Sequence, residues 1–295
     1  MPQTFQRAVI NLENNPKAAE RAHMIDQKLE SGAGATRALR IAATGDLHCK
    51  LSSIGKIAPL FSDLTEHADV LLICGDLTDY GLPEEARILA AELRDLVKRI
   101  PTISVLGNHD LESGKQTELL QIFSDSGFIL LDGNSYEVNG VGFTGIKGFA
   151  GGFDRRALQA WGEDAVKEFV REAKQEAMKL ESSLAKLGSG GRIVLLHYSP
   201  IRTTVVGESP EIYPFLGSSH LEEALNRHPV DAVFHGHSHA GSPEGRTSRN
   251  IPVYNVALPL MRRVFSDDAP YRIYEFEIET RNRSGPRNSI QDPGA

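Results

Sequence analysis

Residues 70–76 read Val-Leu-Leu-Ile-Cys-Gly-Asp, five apolar residues that stop at a glycine and an aspartate. The same pattern occurs at residues 41–46, which read Ile-Ala-Ala-Thr-Gly-Asp, and at residues 103–108, which read Ile-Ser-Val-Leu-Gly-Asn. Near-continuous apolar runs of this length are typical of buried parallel strands, and a helical stretch over residues 83–98 separates two of them. The sequence therefore predicts βαβ units in an α/β fold, with polar groups just past the carboxyl ends of the strands.

Further apolar runs continue this scheme along the chain. Strands are predicted at residues 128–131, 136–146 (a hairpin through Asn139-Gly140), 193–196, 232–234, 253–257 and 271–278, the last alternating like an edge strand. Between them, over residues 163–187, apolar residues recur every three or four positions and predict a helix. That helix either covers one face of a sheet or forms a lid that shapes a substrate site.

The composition restricts the possible function classes. The 295 residues are 40% apolar and 24% charged, which is typical of a globular chain with a sizeable core. The net charge of −7 argues against a passive binder of long nucleic acid. No apolar run approaches the roughly 18 to 20 residues of a membrane span, and the N-terminus lacks the apolar core of a signal peptide. With only Cys49 and Cys74, no disulfide framework is implied, so a cytoplasmic location is expected.

The domain organisation follows from the same patterns. We predict an N-terminal extension over residues 1–39, with a polar helix near residues 16–30, and one catalytic domain over residues 40–280. A helical insertion lies within this domain at about residues 148–191. The tail over residues 281–295, rich in Gly, Pro, Ser, Asn and Arg, is predicted to be loose.

Polar side chains of metal-binding type follow the predicted strands directly. They are Asp46, His48, Asp76, Asn108, His109, Asp110, His197, His237 and His239. Since successive parallel strands bring their carboxyl ends to one edge, these side chains can converge. Imidazole, carboxylate and amide groups suit divalent metals, and there are too many of them for one tetrahedral site. Two ions about 3.5–4 Å apart that share a bridging carboxylate would use them all.

Five motifs carry a resemblance to a known family. The series Asp46-x-His48, Gly75-Asp76-x-x-Asp79, Gly107-Asn108-His109-Asp110, His197 and Gly236-His237-x-His239 resembles the calcineurin-like metallophosphoesterase superfamily. All five motifs occur in family order. The resemblance implies an α/β fold of four layers, an αββα sandwich in which two mixed β-sheets are flanked by helices.

The resemblance also implies roles for individual residues. One metal ion would be held by Asp46, His48, Asp76 and His239. A second would be held by Asp76, Asn108, His197 and His237, with Asp76 bridging. His109, together with Asn108, would bind the substrate phosphate, and His109 would protonate the leaving alkoxide. Asp110 would orient His109, although a helix N-cap is the alternative for this residue. The ions would be Mn, Fe or Zn, and a metal-bound hydroxide would attack phosphorus.

Departures from related families narrow the expected substrate. Tyr80 stands where the Ser/Thr protein phosphatases of the superfamily carry an arginine, and Asp79 stands where purple acid phosphatases have a tyrosine ligand. The remaining resemblance is to the bacterial branch that includes class III cyclic-nucleotide phosphodiesterases. The expected partner is thus a small phosphodiester or monoester, such as a nucleotide, with neither a membrane nor long nucleic acid involved. Arg202 could reach the phosphate, and a surface salt bridge is the alternative.

Two other functions stay open on the sequence alone. The superfamily includes nucleases that act on DNA or RNA ends, although only scattered basic residues are present here. It also includes non-catalytic scaffolds, such as the retromer scaffold subunit, which have lost catalytic residues. The complete ligand set and His109 favour an enzyme.

Overall fold

The computed structural model describes residues 37–188, 190–265 and 270–278. The predicted helix near residues 16–30 and the tail over residues 281–295 lie outside the described residues. Within the described ranges, the chain forms two mixed β-sheets with helices, as the predicted α/β sandwich requires.

Eleven strands are found in the described part of the chain. In chain order they are β1 (Arg37–Thr44), β2 (Val70–Cys74), β3 (Thr102–Val105), β4 (Ile129–Leu130), β5 (Ser135–Val138), β6 (Val141–Ile146), β7 (Gly191–Leu196), β8 (Ala232–His235), β9 (Glu244–Arg246), β10 (Pro252–Asn255) and β11 (Arg272–Ile278). The first sheet has the order β11-β1-β2-β3-β4, and the second has the order β5-β6-β7-β8-β10-β9. Strand β11 is antiparallel to β1 and lies at the edge, as its alternating sequence predicts.

Eight α-helices connect and cover these strands within the described ranges. They are α1 (Leu64–His67), α2 (Pro83–Glu92), α3 (Arg94–Val97), α4 (Gln116–Asp125), α5 (Asp164–Leu184), α6 (Tyr213–Leu216), α7 (Ser219–Leu225) and α8 (Leu258–Val264). The helix predicted over residues 83–98 is divided at Leu93 into α2 and α3. None of the helices in the described ranges has the length and apolar character needed to cross a bilayer.

The period-two alternation of the strands separates three apolar layers. On β1, Leu39, Ile41 and Ala43 lie in the cluster between the two sheets, whereas Ala42 lies in the cluster on the helix side of the first sheet. The long helix α5 places Ala177, Leu180 and Leu184 in a third cluster, against the outer face of the second sheet. The helix therefore covers a sheet face, which is one of the two roles predicted for it.

The carboxyl ends of five parallel strands meet at one edge of this sandwich. Strands β1, β2 and β3 come from the first sheet, and β7 and β8 come from the second. Backbone pairing continues past the strand ends, because Asp46 N donates to Gly75 O at 2.9 Å and His48 N donates to Asp76 O at 3.0 Å. The loops that follow these strands are thus held in register with one another.

Candidate metal centre

The predicted metal ligands come together at this edge in two groups. Asp46, His48 and His239 form one group, and Asp76, His197 and His237 form the other. In each group the potential ligand atoms lie within 4.8 Å of one another. The groups are adjacent, since His48 Nε2 lies 3.7 Å from Asp76 Oδ2. The side-chain oxygen of Asn108 joins the second group at 2.8 Å from His197 Nε2.

His197 is oriented by a backbone carbonyl so that its second ring nitrogen faces the other side chains of the group. Its Nδ1 lies 3.0 Å from Cys74 O, and its Nε2 faces Asn108 Oδ1 at 2.8 Å and Asp76 Oδ1 at 3.4 Å. Burial lowers the pKa of His197 well below the ordinary value, so the ring is neutral and has one N–H. With that N–H donated to Cys74 O, Nε2 carries a lone pair that is directed toward Asn108 and Asp76, as a metal ligand requires.

The ring of His237 is oriented in a similar way. Its Nε2 donates to the backbone carbonyl of Phe215 at 3.1 Å, which leaves Nδ1 free as a ligand. Burial and the neighbouring His197 lower the pKa of His237 to about 3. Metal-binding histidines typically donate their second ring N–H to a carbonyl or carboxylate, which fixes the tautomer. His197 and His237 both follow this rule.

The other group contains a histidine whose ring nitrogens are both without hydrogen bonds. Within the described residues, neither buried ring nitrogen of His48 has a hydrogen-bond partner, although Nδ1 lies 3.2 Å from Asp79 Oδ1. The distance lies within hydrogen-bond range, so it is the angle of this contact that prevents a hydrogen bond. Burial lowers the pKa of His48. His239 differs: burial opposes protonation, but the hydrogen bond to Asp46 at 2.9 Å and the charge of that carboxylate raise its pKa.

The carboxylate proposed to bridge the ions is buried beside two other carboxylates, which disfavours its charged form. Asp76 is 1% exposed, and burial together with the charges of Asp46 and Asp110 raises its pKa well above the ordinary value. A bound cation would stabilise the ionised form of these three carboxylates and would accept the lone pair of His197. The donor set of nitrogen and oxygen atoms therefore fits two divalent ions.

The backbone at the ligands is held in an uncommon conformation. Positive φ angles occur at Asp46 (56°), His48 (43°), Asp76 (47°) and His237 (69°). Non-glycine residues in this region cost of order 1–3 kcal/mol each and concentrate at functional sites. At Gly107, a Cβ atom would overlap Asp76 Oδ1, so this glycine leaves the room that the carboxylate occupies.

His109 lies beside the first group, with its ring 4.6 Å from the ring of His48. Its Nδ1 contacts the Asp79 carbonyl at 2.7 Å and must donate there, which leaves Nε2 free to face a substrate. Asp110 was expected to orient this ring or to cap a helix, and the structure differs on both points. Its carboxylate accepts hydrogen bonds from Leu77 N, Thr78 N, Thr78 Oγ1 and Gly107 N at 2.6–3.2 Å. Asp110 therefore fixes the loops that carry Asp76 and Asn108.

Three further residues clarify the surroundings of the site. Asp79, for which the sequence predicts no ligand role, shares its carboxylate between His48 and Lys50, at 3.2 and 3.3 Å. His235 is fully buried and bonded to Thr204 Oγ1 at 2.9 Å. Arg202 lies 3.9 Å from Asp154 Oδ2 and over the ring of Tyr213, so the surface salt bridge is present, and its contact with a phosphate stays a prediction.

Comparisons with known proteins bear on the family and the fold. A family model described as calcineurin-like phosphoesterase matches residues 39–241. Among solved structures, phosphopantetheinyl hydrolase from Mycobacterium tuberculosis is similar with a TM-score of 0.57 and 14% identity, covering 85% of this chain and 100% of that one. The protein TT1561 of Thermus thermophilus has a TM-score of 0.48 and 15% identity, covering 82% of this chain and 99% of that one. No match is found among curated proteins.

Proposed function

Because the chain belongs to the calcineurin-like phosphoesterase family, whose members normally bind two metal ions, we propose that it hydrolyses small phosphodiesters with a dinuclear metal centre. One ion would be held by Asp46, His48, Asp76 and His239. The other would be held by Asp76, Asn108, His197 and His237. A nucleotide or cyclic nucleotide, as for the bacterial class III phosphodiesterase branch, is the proposed substrate class.

The observation that carries this proposal is the environment of His197. A neutral ring with its one N–H turned toward Cys74 O leaves a lone pair 2.8 Å from Asn108 Oδ1 and 3.4 Å from Asp76 Oδ1. A lone pair on nitrogen beside a carboxylate oxygen and an amide oxygen is a donor set that suits a divalent cation. This arrangement supports a metal centre, and the family match supports an enzyme that uses it.

The proposed mechanism divides the work between the ions and the chain. When bound, the ions would supply Lewis acidity toward the phosphoryl oxygens and lower the pKa of water at the site. His197 and His237 stay neutral and so remain available as ligands at the pH of catalysis. In its doubly protonated form, His109 would donate the Nε2 proton to the leaving oxygen as the ester bond breaks, while its Nδ1–H stays bonded to Asp79 O.

The intact Asp46-x-His48 motif is compatible with diester as well as monoester cleavage, and the acidic total of the chain favours a small substrate. A net charge of −7 disfavours long nucleic acid, whereas a small diester needs only the charge that the two ions provide locally. A nuclease would need a basic groove, and the basic residues of the sequence are scattered.

The experiment makes two comparisons. The first sets a diester against a monoester, and the second sets an alkyl leaving group against p-nitrophenolate. After removal of metal with EDTA and reloading with Mn²⁺, the protein should hydrolyse bis-p-nitrophenyl phosphate faster than p-nitrophenyl phosphate. His109→Ala should lower kcat by about 10²–10⁴ for an alkyl leaving group and much less for p-nitrophenolate, which leaves without a proton. His67→Ala, which removes an exposed histidine paired with Asp63, is the control and should keep full activity.

Two results would contradict the proposal. One is a wild-type protein that holds two ions per chain by elemental analysis and hydrolyses no phosphoester. The other is an equal loss for both leaving groups in His109→Ala, which would remove the proton-donor role from this residue.

A further inference from the structure

A cluster of aromatic rings extends from the candidate metal centre. The ring of Tyr198 lies 4.5 Å from the ring of His237 and 6.0 Å from that of Phe149. Phe149 lies 4.9 Å from Phe169, which meets Phe215 edge-on at 6.3 Å. Phe149, Phe169, Tyr198 and Phe215 are called the aromatic cluster below. The cluster begins at a proposed metal ligand and ends at the surface.

Phe215 is the exposed member of the cluster. Its side chain is 56% exposed, although large apolar side chains gain free energy from burial. The space behind the cluster is already filled, because Lys147 Nζ lies 4.9 Å from the centre of the Phe149 ring and 5.2 Å from that of Tyr198. The free surface of Phe215 is therefore open to solvent and to a ligand.

The backbone that carries Phe215 is fixed on both sides. Three consecutive carbonyls accept hydrogen bonds from other parts of the domain: Pro214 O from Gly151 N at 2.8 Å, Phe215 O from His237 Nε2 at 3.1 Å, and Leu216 O from Ser199 N at 3.0 Å. Because the backbone is already fixed, little backbone freedom is lost when a ligand contacts the Phe215 side chain. The arrangement is thus pre-organised for binding.

We propose that the aromatic cluster, through Phe215, binds an ester arm of the substrate, and that this arm carries a planar ring such as a nucleobase. The inference rests on the proposed function, because a phosphate on the two ions would bring its ester arms against their immediate neighbours. A planar ring gains both area and favourable quadrupole contacts on an aromatic surface, whereas an alkyl arm gains area alone.

The bound arm is the one that stays on phosphorus. His109, the proposed proton donor to the leaving oxygen, lies beside His48, with the two rings 4.6 Å apart. Phe215 instead adjoins His237, in the group of Asp76 and His197. The retained arm, whose ring would contact Phe215, and the leaving alcohol, which would be protonated by His109, are therefore assigned to different sides of the metal centre.

The test varies the retained arm while the leaving group stays p-nitrophenolate. Phenyl p-nitrophenyl phosphate and methyl p-nitrophenyl phosphate are compared by kcat/KM in wild type, Phe215→Ala, Phe215→Trp and Phe265→Ala, an exposed phenylalanine outside the cluster. Phe215→Ala should reduce the phenyl-to-methyl ratio roughly five- to tenfold relative to wild type. Phe215→Trp and Phe265→Ala should keep it. The His237 contact is made by a backbone carbonyl and is retained in each variant.

A binding measurement separates this inference from the proposed function. Calorimetry on the Mn²⁺-loaded protein compares phenylphosphonate with methylphosphonate, and wild type should prefer the phenyl compound by a factor that Phe215→Ala removes. If the wild type hydrolyses neither ester yet shows this preference, the hydrolase proposal fails and the ring-binding surface stands. If the preference is absent in wild type, or survives in Phe215→Ala, the aromatic cluster does not bind the arm.

Discussion

Replacement of Asp76 by asparagine should separate metal binding from folding. Burial and the charges of Asp46 and Asp110 raise the pKa of Asp76, so the folded chain holds its proton more tightly than the unfolded chain does. The metal-free protein is then most stable below the unfolded pKa. It loses about 1.4 kcal/mol per pH unit as the pH rises from there to the folded pKa. At pH 7, which lies well above the unfolded pKa, the metal-free protein bears this cost.

The asparagine removes that charge and keeps an acceptor for His109 N, which now bonds Asp76 Oδ1 at 2.9 Å. We expect Asp76→Asn to stabilise the metal-free protein at pH 7 by about 1–3 kcal/mol. That corresponds to a rise in Tm of roughly 2–8 °C for a chain of this size. The gain should shrink as the pH is lowered toward 4, because the wild-type carboxyl then takes up its proton.

The assay is thermal unfolding in EDTA and again with Mn²⁺. Wild type at 100 times Kd should gain about 2.7 kcal/mol from the ion, and Asp76→Asn should gain little. Asp110→Asn is the matched control, since its carboxylate accepts four hydrogen bonds. In Asp110→Asn, the side-chain NH2 would face backbone N–H donors that now bond the carboxylate. Tm should therefore fall both in EDTA and with Mn²⁺. A lower Tm of Asp76→Asn in EDTA, or an undiminished response to Mn²⁺, would refute the reasoning.

Three further outcomes are expected. Asp79→Asn should weaken one of two Mn²⁺ binding events about 10–100-fold by calorimetry, because His48 loses its nearest carboxylate; an unchanged isotherm would contradict this. Burial lowers the pKa of His235 to about 4, so its stabilising contribution is complete above about pH 6.5 and is lost as the pH falls toward 4. In urea unfolding without metal, His235→Asn should therefore lose less stability than wild type between pH 6.5 and 4, and parallel curves would exclude the effect. Gly107→Ala should cost about 1–3 kcal/mol and lower the metal content after dialysis, whereas Gly188→Ala, with open space around it, should not; equal metal content in the two variants would overturn the steric argument.

The positions of the ligands could be predicted from sequence because two simple regularities coincide. Strands that are buried in a parallel sheet have nearly uninterrupted apolar sequences, and functional groups follow at their carboxyl ends. Asp46, Asp76 and His197 each lie within two residues of a strand end in the structure. Strand β9 was missed because its three residues, Glu244–Arg246, have neither the length nor the apolar character that marks a strand.

The parts that could not be predicted depend on contacts between distant segments. The tautomer of His197 is set by a carbonyl 123 residues away, and Asp110 is occupied by donors from the loop after β2. Its neighbour in sequence, His109, is instead held by a backbone carbonyl, to which a sequence motif gives no clue. The exposure of Phe215 likewise follows from how helix α6 is anchored, since phenylalanine in isolation predicts burial.

The ligands lie on loops from two different sheets, and this has a mechanical consequence. Asp46 and His239 are 193 residues apart in the chain, and Asp76 meets His197 across the same boundary. Ions bound here would join the two sheets only in the folded chain, so their binding free energy would stabilise the contact between the sheets. Loss of metal should therefore loosen the joint between the two halves of the sandwich as well as end the chemistry.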